Sequence, residues 1–401
     1  MINSGWNDLL HDHSLPAAII DLDALDANIE RIRTQAERSG KTIRIASKSI
    51  RVPFLLKRIL ERGKGTFQGL LTYSLTESVF LYQEGFRDLL LAYPTLQKKD
   101  FVQVIPLLKN DPNAITFMID SPEHLEFLSA CAQENSLPNP IPVCIDLDMS
   151  YRPFGIHLGV QRSPIRSEQD LLEFIGEFKK YSSIRLKGLM GYEAQIAGLA
   201  DQNPFQPILN PIKKFLKRRS VPDVARKRAS YASLLKERGI SIELFNGGGS
   251  GSLTSTLQEE VVTEATAGSG FLQSHLFDYY PSNQQEPAIY IALRSSRRPQ
   301  SDIITCQGGG IIGSGEAGVE KAMIPVFPEG LSLMNSEGCG EVQTPLRLKH
   351  QGVTIHLGDA IFFRPAKAGE PLERFKSVLL ISGGKIQGEV PTYRGLNQEF
   401  Q

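Results

Sequence analysis

The sequence predicts an α/β chain: a closed (β/α)8 barrel of the TIM type, followed by a C-terminal all-β domain. Three observations carry that prediction. Strand-like and helix-like segments alternate from residue 42 to residue 266. A glycine-rich turn follows each of the last two strands in that alternation. Past residue 285 helical periodicity fades, and short β-rich runs punctuated by Gly and Pro replace it. Residues 15–283 are therefore assigned to the barrel and 284–401 to the β domain, onto which segment 1–14 could pack.

The elements read as follows. Residues 17–22 form a strand, and 23–37 an amphipathic helix with Leu25, Ile29 and Ile32 on one face. The barrel strands are expected at 42–47, 66–72, 88–93, 114–119, 141–147, 184–190, 241–246 and 261–266. Helical patterns fill most gaps, at 53–62, 76–85, 97–108, 122–134 and 167–181, with a basic one near 222–238. The β domain is expected to use runs at 288–294, 303–306, 323–327, 331–334, 353–356, 360–364, 377–381 and 385–391.

Composition narrows the function classes. Forty-four basic residues balance forty-four acidic ones, which argues against nucleic acid or a membrane surface as partner. No apolar stretch approaches a membrane span, and the N-terminus lacks the features of a signal peptide. Cysteines 131, 144, 306 and 339 are scattered, which fits a reduced cytoplasmic protein better than disulfides or zinc. His11-Asp12-His13 reads as part of a solvated tail.

Lys48 lies in Thr42-Ile-Arg-Ile-Ala-Ser-Lys-Ser-Ile-Arg51, at the C-terminal end of the first barrel strand. Barrels of this type place their chemistry at that end. A lysine there can be partly desolvated, and its free amine forms Schiff bases with carbonyl groups, including the aldehyde of pyridoxal phosphate (PLP). The turns Asn246-Gly-Gly-Gly-Ser-Gly-Ser252 and Ala267-Gly-Ser-Gly270 follow strands seven and eight. Phosphate sites form from those two loops, because glycine lets backbone N–H groups converge and serine adds a hydroxyl donor. Arg152, beyond the fifth strand, could meet an anionic oxygen of cofactor or substrate; Tyr192, Glu193 and Gln195 would line the same mouth. Glu264 is expected to be a supporting acid or a buried ion-pair partner. Gly313-Ser-Gly-Glu-Ala-Gly318 spells the dinucleotide pattern but sits in the β-rich part, with Pro325 and Pro328 close behind, where no helix is expected to open.

Lys48, Arg152, the Gly188–Gly198 segment and the two glycine turns occur in an order that resembles the alanine racemase-like (fold-type III) PLP enzymes. Residues 18–29 resemble that group's first strand and helix. Within the group the chain is most similar to the D-threonine aldolase and D-serine dehydratase branch, and closest to members described as amino acid deaminase/aldolase. The similarity spans nearly the whole chain. It includes Ile45-Ala-Ser-Lys-Ser-Ile-Arg51, Ala92-Tyr-Pro94, Asp120-Ser-Pro-Glu-His-Leu125, Ala366-Lys-Ala-Gly-Glu370 and Pro391-Thr-Tyr-Arg-Gly395. The resemblance implies that Lys48 holds PLP and exchanges protons at Cα. It implies that Arg152 contacts the ring's phenolic oxygen, that Ser250, Gly251, Gly268, Ser269 and Gly270 bind the phosphate, and that Tyr192 lines the pocket. Asn246, Gly249 and Gln195 are placed in that same cofactor pocket. A homodimer is implied, each site completed by the partner's β domain.

One departure stands out. Where the branch carries a His-x-Asp or His-x-Cys metal site, this chain has Lys367 and Gly369, and Glu337-Gly338 replaces a Glu-His pair. Protonated lysine has no lone pair and glycine no side chain, so no metal ligand is assigned and a divalent ion is put in question. Lys367, oriented by Glu370, is expected to supply the positive charge instead. The expected function is a PLP-dependent lyase acting on a small β-hydroxy amino acid of D configuration. It would work through a Lys48 Schiff base, by aldol cleavage or by dehydration and deamination, with Lys48, Lys367 and Tyr192 as catalytic residues. The alternatives are an amino acid racemase, which needs a second acid/base such as a partner's Tyr393 or Cys339, and a non-catalytic PLP-binding protein.

Overall fold

A computed structural model describes residues 5–282, 285–349 and 354–400. The first strand, β1 (Ala17–Asp21), is followed by eight parallel strands that close into a barrel. These are β2 (Thr42–Ala46), β3 (Phe67–Thr72), β4 (Leu89–Leu91), β5 (Ile115–Ile119), β6 (Ile141–Asp146), β7 (Ile184–Gly191), β8 (Leu244–Gly247) and β9 (Glu264–Ala267). Every residue of β5 and β6 is buried, as expected for parallel strands covered on both faces. The barrel closes through β2 and β9, with Thr42 opposite Glu264 and Ile45 opposite Ala267. Leu90, Met118, Cys144, Met190 and Leu244 form a small separate cluster of buried side chains from successive barrel strands. Each of the eight strands overlaps its expected range.

The ninth early strand goes elsewhere. β1, counted with the barrel by sequence, pairs instead with the C-terminal sheet. It runs antiparallel to β10 (Ile289–Gln300) and parallel to β16 (Ser377–Ser382). The apolar run Ala-Ala-Ile-Ile satisfies any sheet, and a closed barrel offers no edge to receive it. Asp21 then caps the helix Leu22–Ser39, accepting from the N–H groups of Asp23 (3.0 Å) and Ala24 (3.1 Å).

The C-terminal sheet adds β11 (Ile303–Gln307), β12 (Ile324–Phe327), β13 (Leu331–Leu333), β14 (Gln343–Leu348), β15 (Ala360–Arg364) and β17 (Lys385–Pro391). Its order is β13-β14-β11-β10-β1-β16-β17, with β15 pairing to β10 and β12. Two expectations are corrected. No strand forms at 354–356, and residue 353 lies outside the described residues. β14 was not expected, because Pro345 interrupts its pattern; β13 has already ended opposite that proline, its last pair being Leu333 with Leu346. The helix expected near 222–238 is also longer, Asn210–Glu237, with Pro222 inside it. Packing of Val224, Tyr231, Leu234 and Leu235 carries the helix through the one backbone bond a proline removes. The N-terminal helix Gly5–Leu9 docks on the sheet, where Trp6 meets Tyr290 and Phe362 edge to face.

Candidate active site

A cavity of about 720 Å³ opens at the C-terminal ends of the barrel strands. The barrel contributes Lys48 and Ser49 after β2, Tyr192 after β7, Asn246 and Gly248–Ser250 around the end of β8, and Gly268 and Ser269 after β9. The β domain contributes Ser314, Lys367 and Glu370.

Lys48 is the centre of a tight turn, Ser47–Ser49, in which both serines are buried and Lys48 is exposed to the cavity. Arg51, in the left-handed region at φ 52°, bends back so that its Nε donates to the Lys48 carbonyl at 3.1 Å. Glu373 holds the same guanidinium by an ion pair at 2.5 Å. The backbone under Lys48 is thus clamped, while its amine has no hydrogen-bond or ion-pair partner among the described residues.

The two glycine turns meet beside it. The N–H groups of Gly268 and Gly270 both point at Ser250 Oγ, at 3.3 and 2.9 Å. The Ser49 and Ser269 hydroxyls lie 3.2 Å apart. A Cβ on Gly268 would come within 2.9 Å of Ala46 and Ser49, and one on Gly249 within 3.3 Å of the Tyr192 ring. These donors are all N–H and O–H groups without a carboxylate, so the cradle fits a phosphate. With an unpartnered amine opening onto the same cavity, the residues present fit PLP.

Glu193, buried next to Tyr192, fixes the first turn. It accepts from Gly248 N (3.1 Å), Ser252 Oγ (2.7 Å) and Thr256 Oγ1 (2.5 Å), and pairs with the buried Arg228. Burial alone would raise its pKa; Arg228 and the two hydroxyls more than offset that and hold it below the usual carboxylate range. Burial pushes the Tyr192 hydroxyl up to about 12, so it stays a donor. In the cavity wall, Thr266 donates to Asn246 Oδ1 (3.0 Å), and Asn246 donates to Glu264 (2.7 Å). Glu264 in turn pairs with the buried Arg44 at 2.7 Å, which is the ion-pair role expected for it.

Lys367 stands on the β-domain wall of the same protomer. Its Nζ donates to Ser314 Oγ at 2.6 Å and lies 3.3 Å from Glu370. Glu370 also accepts from the N–H and the hydroxyl of Ser314, both at 2.9 Å. No group of three or more His, Cys, Asp or Glu among the described residues is placed to hold a metal.

Of the expected site residues, Lys48, Tyr192, Asn246, Gly249, Ser250, Gly268, Ser269 and Lys367 all line the cavity. Gly270 lies behind it and acts through its N–H. Gly251 packs against Ala197 and Tyr280. Gln195 is buried, donating to Met149 O at 2.6 Å, with its Oε1 unpartnered. Arg152 is a correction: it does not line the cavity. The tight turn Pro153–Gly155, with Phe154 at φ 52°, carries this segment outward. Arg152 folds back on Asp148 (2.8 Å) and Ser150 (3.2 Å). Arg162 lines the cavity instead. It was missed because nothing in its polar run Gln161-Arg-Ser163 marks it. Ser314 was missed because it lies inside the glycine run Gly313–Gly318, where no α-helix opens. Neither Tyr393 nor Cys339 lines the cavity of this protomer.

Residues 20–264 match the family described as alanine racemase, N-terminal domain. D-Threonine aldolase of an Arthrobacter species is 21% identical over 63% of this chain and 60% of its own length. 3-Hydroxy-D-aspartate aldolase of Paracoccus denitrificans is 22% identical over 63% and 59%. The chain thus spans about three fifths of the length of the curated relatives it matches. Among solved structures, D-threonine aldolase from Filomicrobium marinum superimposes with a TM-score of 0.80 at 17% identity, covering 96% of this chain and 97% of that one. D-threo-3-hydroxyaspartate dehydratase from Delftia sp. HT23 gives 0.73 at 16% identity, covering 96% and 98%.

Proposed function

The chain belongs to the alanine racemase N-terminal domain family, and from that we propose that it is a PLP-dependent lyase. Its substrate would be a small β-hydroxy amino acid of D configuration, cleaved as an aldol or dehydrated and deaminated. The observation that carries the reading is the meeting of three features in one cavity: the unpartnered Lys48 amine, the phosphate cradle of Ser49, Ser250 and Ser269, and Lys367 on the β-domain wall. The names of the curated relatives support the substrate class.

Lys48, Ser250, Gly268, Ser269 and Gly270 would hold the cofactor, with Tyr192 and Asn246 against it. When bound, PLP supplies an electron sink for the charge left at the substrate Cα. Lys48 moves the proton at that carbon. Lys367, held by Ser314 and Glu370, meets the substrate's β-oxygen as a positive donor. Tyr192 lines the pocket as an un-ionised donor. Racemisation is less well served, since Tyr393 donates to the buried Glu77 (2.9 Å) and Cys339 is buried beside Thr344. A mere carrier would not need the Ser314–Lys367–Glu370 wall.

We also propose a cytoplasmic homodimer. All four cysteines are free, which suits a reducing compartment. No helix among the described residues is long and apolar enough to cross a membrane. Ile208, Ile212 and Phe215 are exposed beside Gln206 and Lys213, which line the cavity, so a second copy at the mouth would bury them.

Reconstitution tests the reading. The purified protein is expected to bind PLP with a visible band that Lys48→Ala abolishes, and to release aldehyde or keto acid and ammonia from D-β-hydroxy amino acids. A protein that takes up no PLP refutes it. Metal analysis tests Lys367 separately, since a stoichiometric divalent ion bound beside it contradicts its role as the local charge.

A further inference from the structure

We propose that Tyr393, on the C-terminal segment, is a positioning residue for Lys48: it holds the Lys48 turn in the form that receives PLP, from outside the cavity. This rests on the reading of Lys48 as the residue that holds PLP. No residue from 391 to 400 lines the cavity. The segment leaves β17 at Pro391 and turns tightly at Arg394–Leu396. Two residues anchor it to the β domain. Thr392 donates through its N–H to Lys376 O at 3.0 Å and through its hydroxyl to Phe375 O at 2.5 Å. Gly395 passes so close to Lys376 that an added Cβ would collide with the carbonyl oxygen there. Tyr393, between these anchors, is buried against the barrel helix Leu75–Gln83. Its ring packs edge to face on Phe80 of that helix at 5.7 Å and on Phe400 at 5.1 Å.

Tyr393 reaches the Lys48 turn at two points. Its N–H donates to Arg51 O at 3.0 Å. Its hydroxyl donates to Glu77 Oε1 at 2.9 Å, and Ser47, the residue before Lys48, gives the same carboxyl a hydroxyl contact. The turn itself is closed by the N–H groups of Ile50 and Arg51, which both donate to Ser47 O, at 2.9 and 3.0 Å. Lys48 therefore lies between two residues, Ser47 and Arg51, that one tyrosine restrains. Arg51 needs the restraint. It is a long side chain at φ 52°, a conformation that persists only where the surroundings over-determine it. Its guanidinium is held by Glu373 and the Lys48 carbonyl, and its own carbonyl by Tyr393. Glu77 is fully buried, so the loss of one donor there is not made good by water. The Tyr393 hydroxyl is thus coupled to the backbone on both sides of Lys48.

The experiment uses Tyr393→Phe, which keeps the ring and removes only the donor to Glu77. On full-length protein, PLP affinity is measured by titration of the visible band, and backbone hydrogen exchange by mass spectrometry. The variant is expected to bind PLP about tenfold more weakly, the scale of one buried hydrogen bond. Exchange at Ile50 and Arg51 is expected to quicken by about the same factor, with none of that change in the buried strands β5 and β6. At saturating PLP the visible circular dichroism per bound cofactor is expected to fall, which a loss of stability alone does not produce. Phe400→Leu loosens the packing on Tyr393 and leaves its hydrogen bonds. It takes the place of Tyr393→Phe if that variant does not fold, with the same pattern expected at about threefold. The proposal is overturned if PLP affinity, the dichroism, or exchange at Ile50 and Arg51 stays as in wild type. It is also overturned if exchange quickens alike at the turn, β5 and β6, the mark of a tyrosine that only stabilises the fold. A wild type that takes up no PLP refutes the proposed function, while exchange still decides Tyr393 on that protein: quickening confined to the turn upholds the clamp, and none overturns it.

Discussion

Gly369 packs directly on the Lys48 turn: a Cβ added to it would collide with the Lys48 carbonyl oxygen and lie 2.6 and 2.8 Å from the backbone of Ser49. The β domain and the first barrel turn therefore share a wall with no space for a methyl group. Gly369→Ala should cost about 1–3 kcal/mol by overpacking. Because the carbonyl that must move is also held by Arg51, the variant should lose PLP affinity along with stability. Urea unfolding and PLP titration check this, and an unchanged midpoint with unchanged affinity contradicts it.

Glu193 is the polar hub under the first glycine turn. Removing it leaves the fully buried Arg228 with Glu259 as its remaining carboxylate partner. Breaking a buried pair from one side costs about 3–5 kcal/mol, so Glu193→Ala should be strongly destabilised and Glu193→Gln less so. The sign with pH follows from a folded pKa held below the usual range. The stability Glu193 contributes is present above its unfolded pKa and lost as pH falls through the folded one. The gap between wild type and Glu193→Gln in chemical denaturation should therefore narrow toward acid pH.

Glu77 behaves in the opposite sense. It is buried, accepts from Tyr73 N (2.8 Å) and from Tyr393 Oη (2.9 Å), and burial pushes its pKa up to about 7. The unfolded carboxylate ionises first as pH rises from 4.5, so stability falls across that window and levels off above about 7. The penalty is on the order of 3 kcal/mol at most. Glu77→Gln, which keeps an acceptor, should gain stability relative to wild type at pH 8 but not at pH 5. Thermal unfolding at both values checks it, and an equal shift at both would contradict it.

The barrel and much of its site were legible because repetition makes them so. Eight alternations of strand and helix leave few topologies, and the glycine turns after the last two strands mark where a phosphate can sit. Three things were not legible. β1 carries an apolar run that any sheet accepts, and only barrel closure, a property of the whole chain, sends it to the C-terminal sheet. Arg152 and Arg162 are equally plain in sequence; which one faces the cavity depends on the Pro153–Gly155 turn and on the hydroxyl of Ser163. Ser314 sits 53 residues from Lys367, and no local pattern predicts so distant a pair.

Lys367 faces the cavity, where it was expected to supply a positive charge, and its fixation gives a graded test. Lys367→Met keeps the stem and removes the charge, so Glu370 keeps Ser314 but loses its cation. If Lys367 donates to the β-oxygen, kcat should fall by about 10²-fold or more, with PLP content unchanged because the phosphate cradle lies on the other wall. Ser314→Ala removes one hydrogen bond to Lys367 and one to Glu370, leaving the ion pair, and should cost about tenfold. The order of the two defects is the discriminating result. If Lys367 were only a strut for the β domain, both variants would lose stability and PLP together. If Lys367 acts on substrate, steady-state kinetics on fully loaded protein will show the larger loss in Lys367→Met.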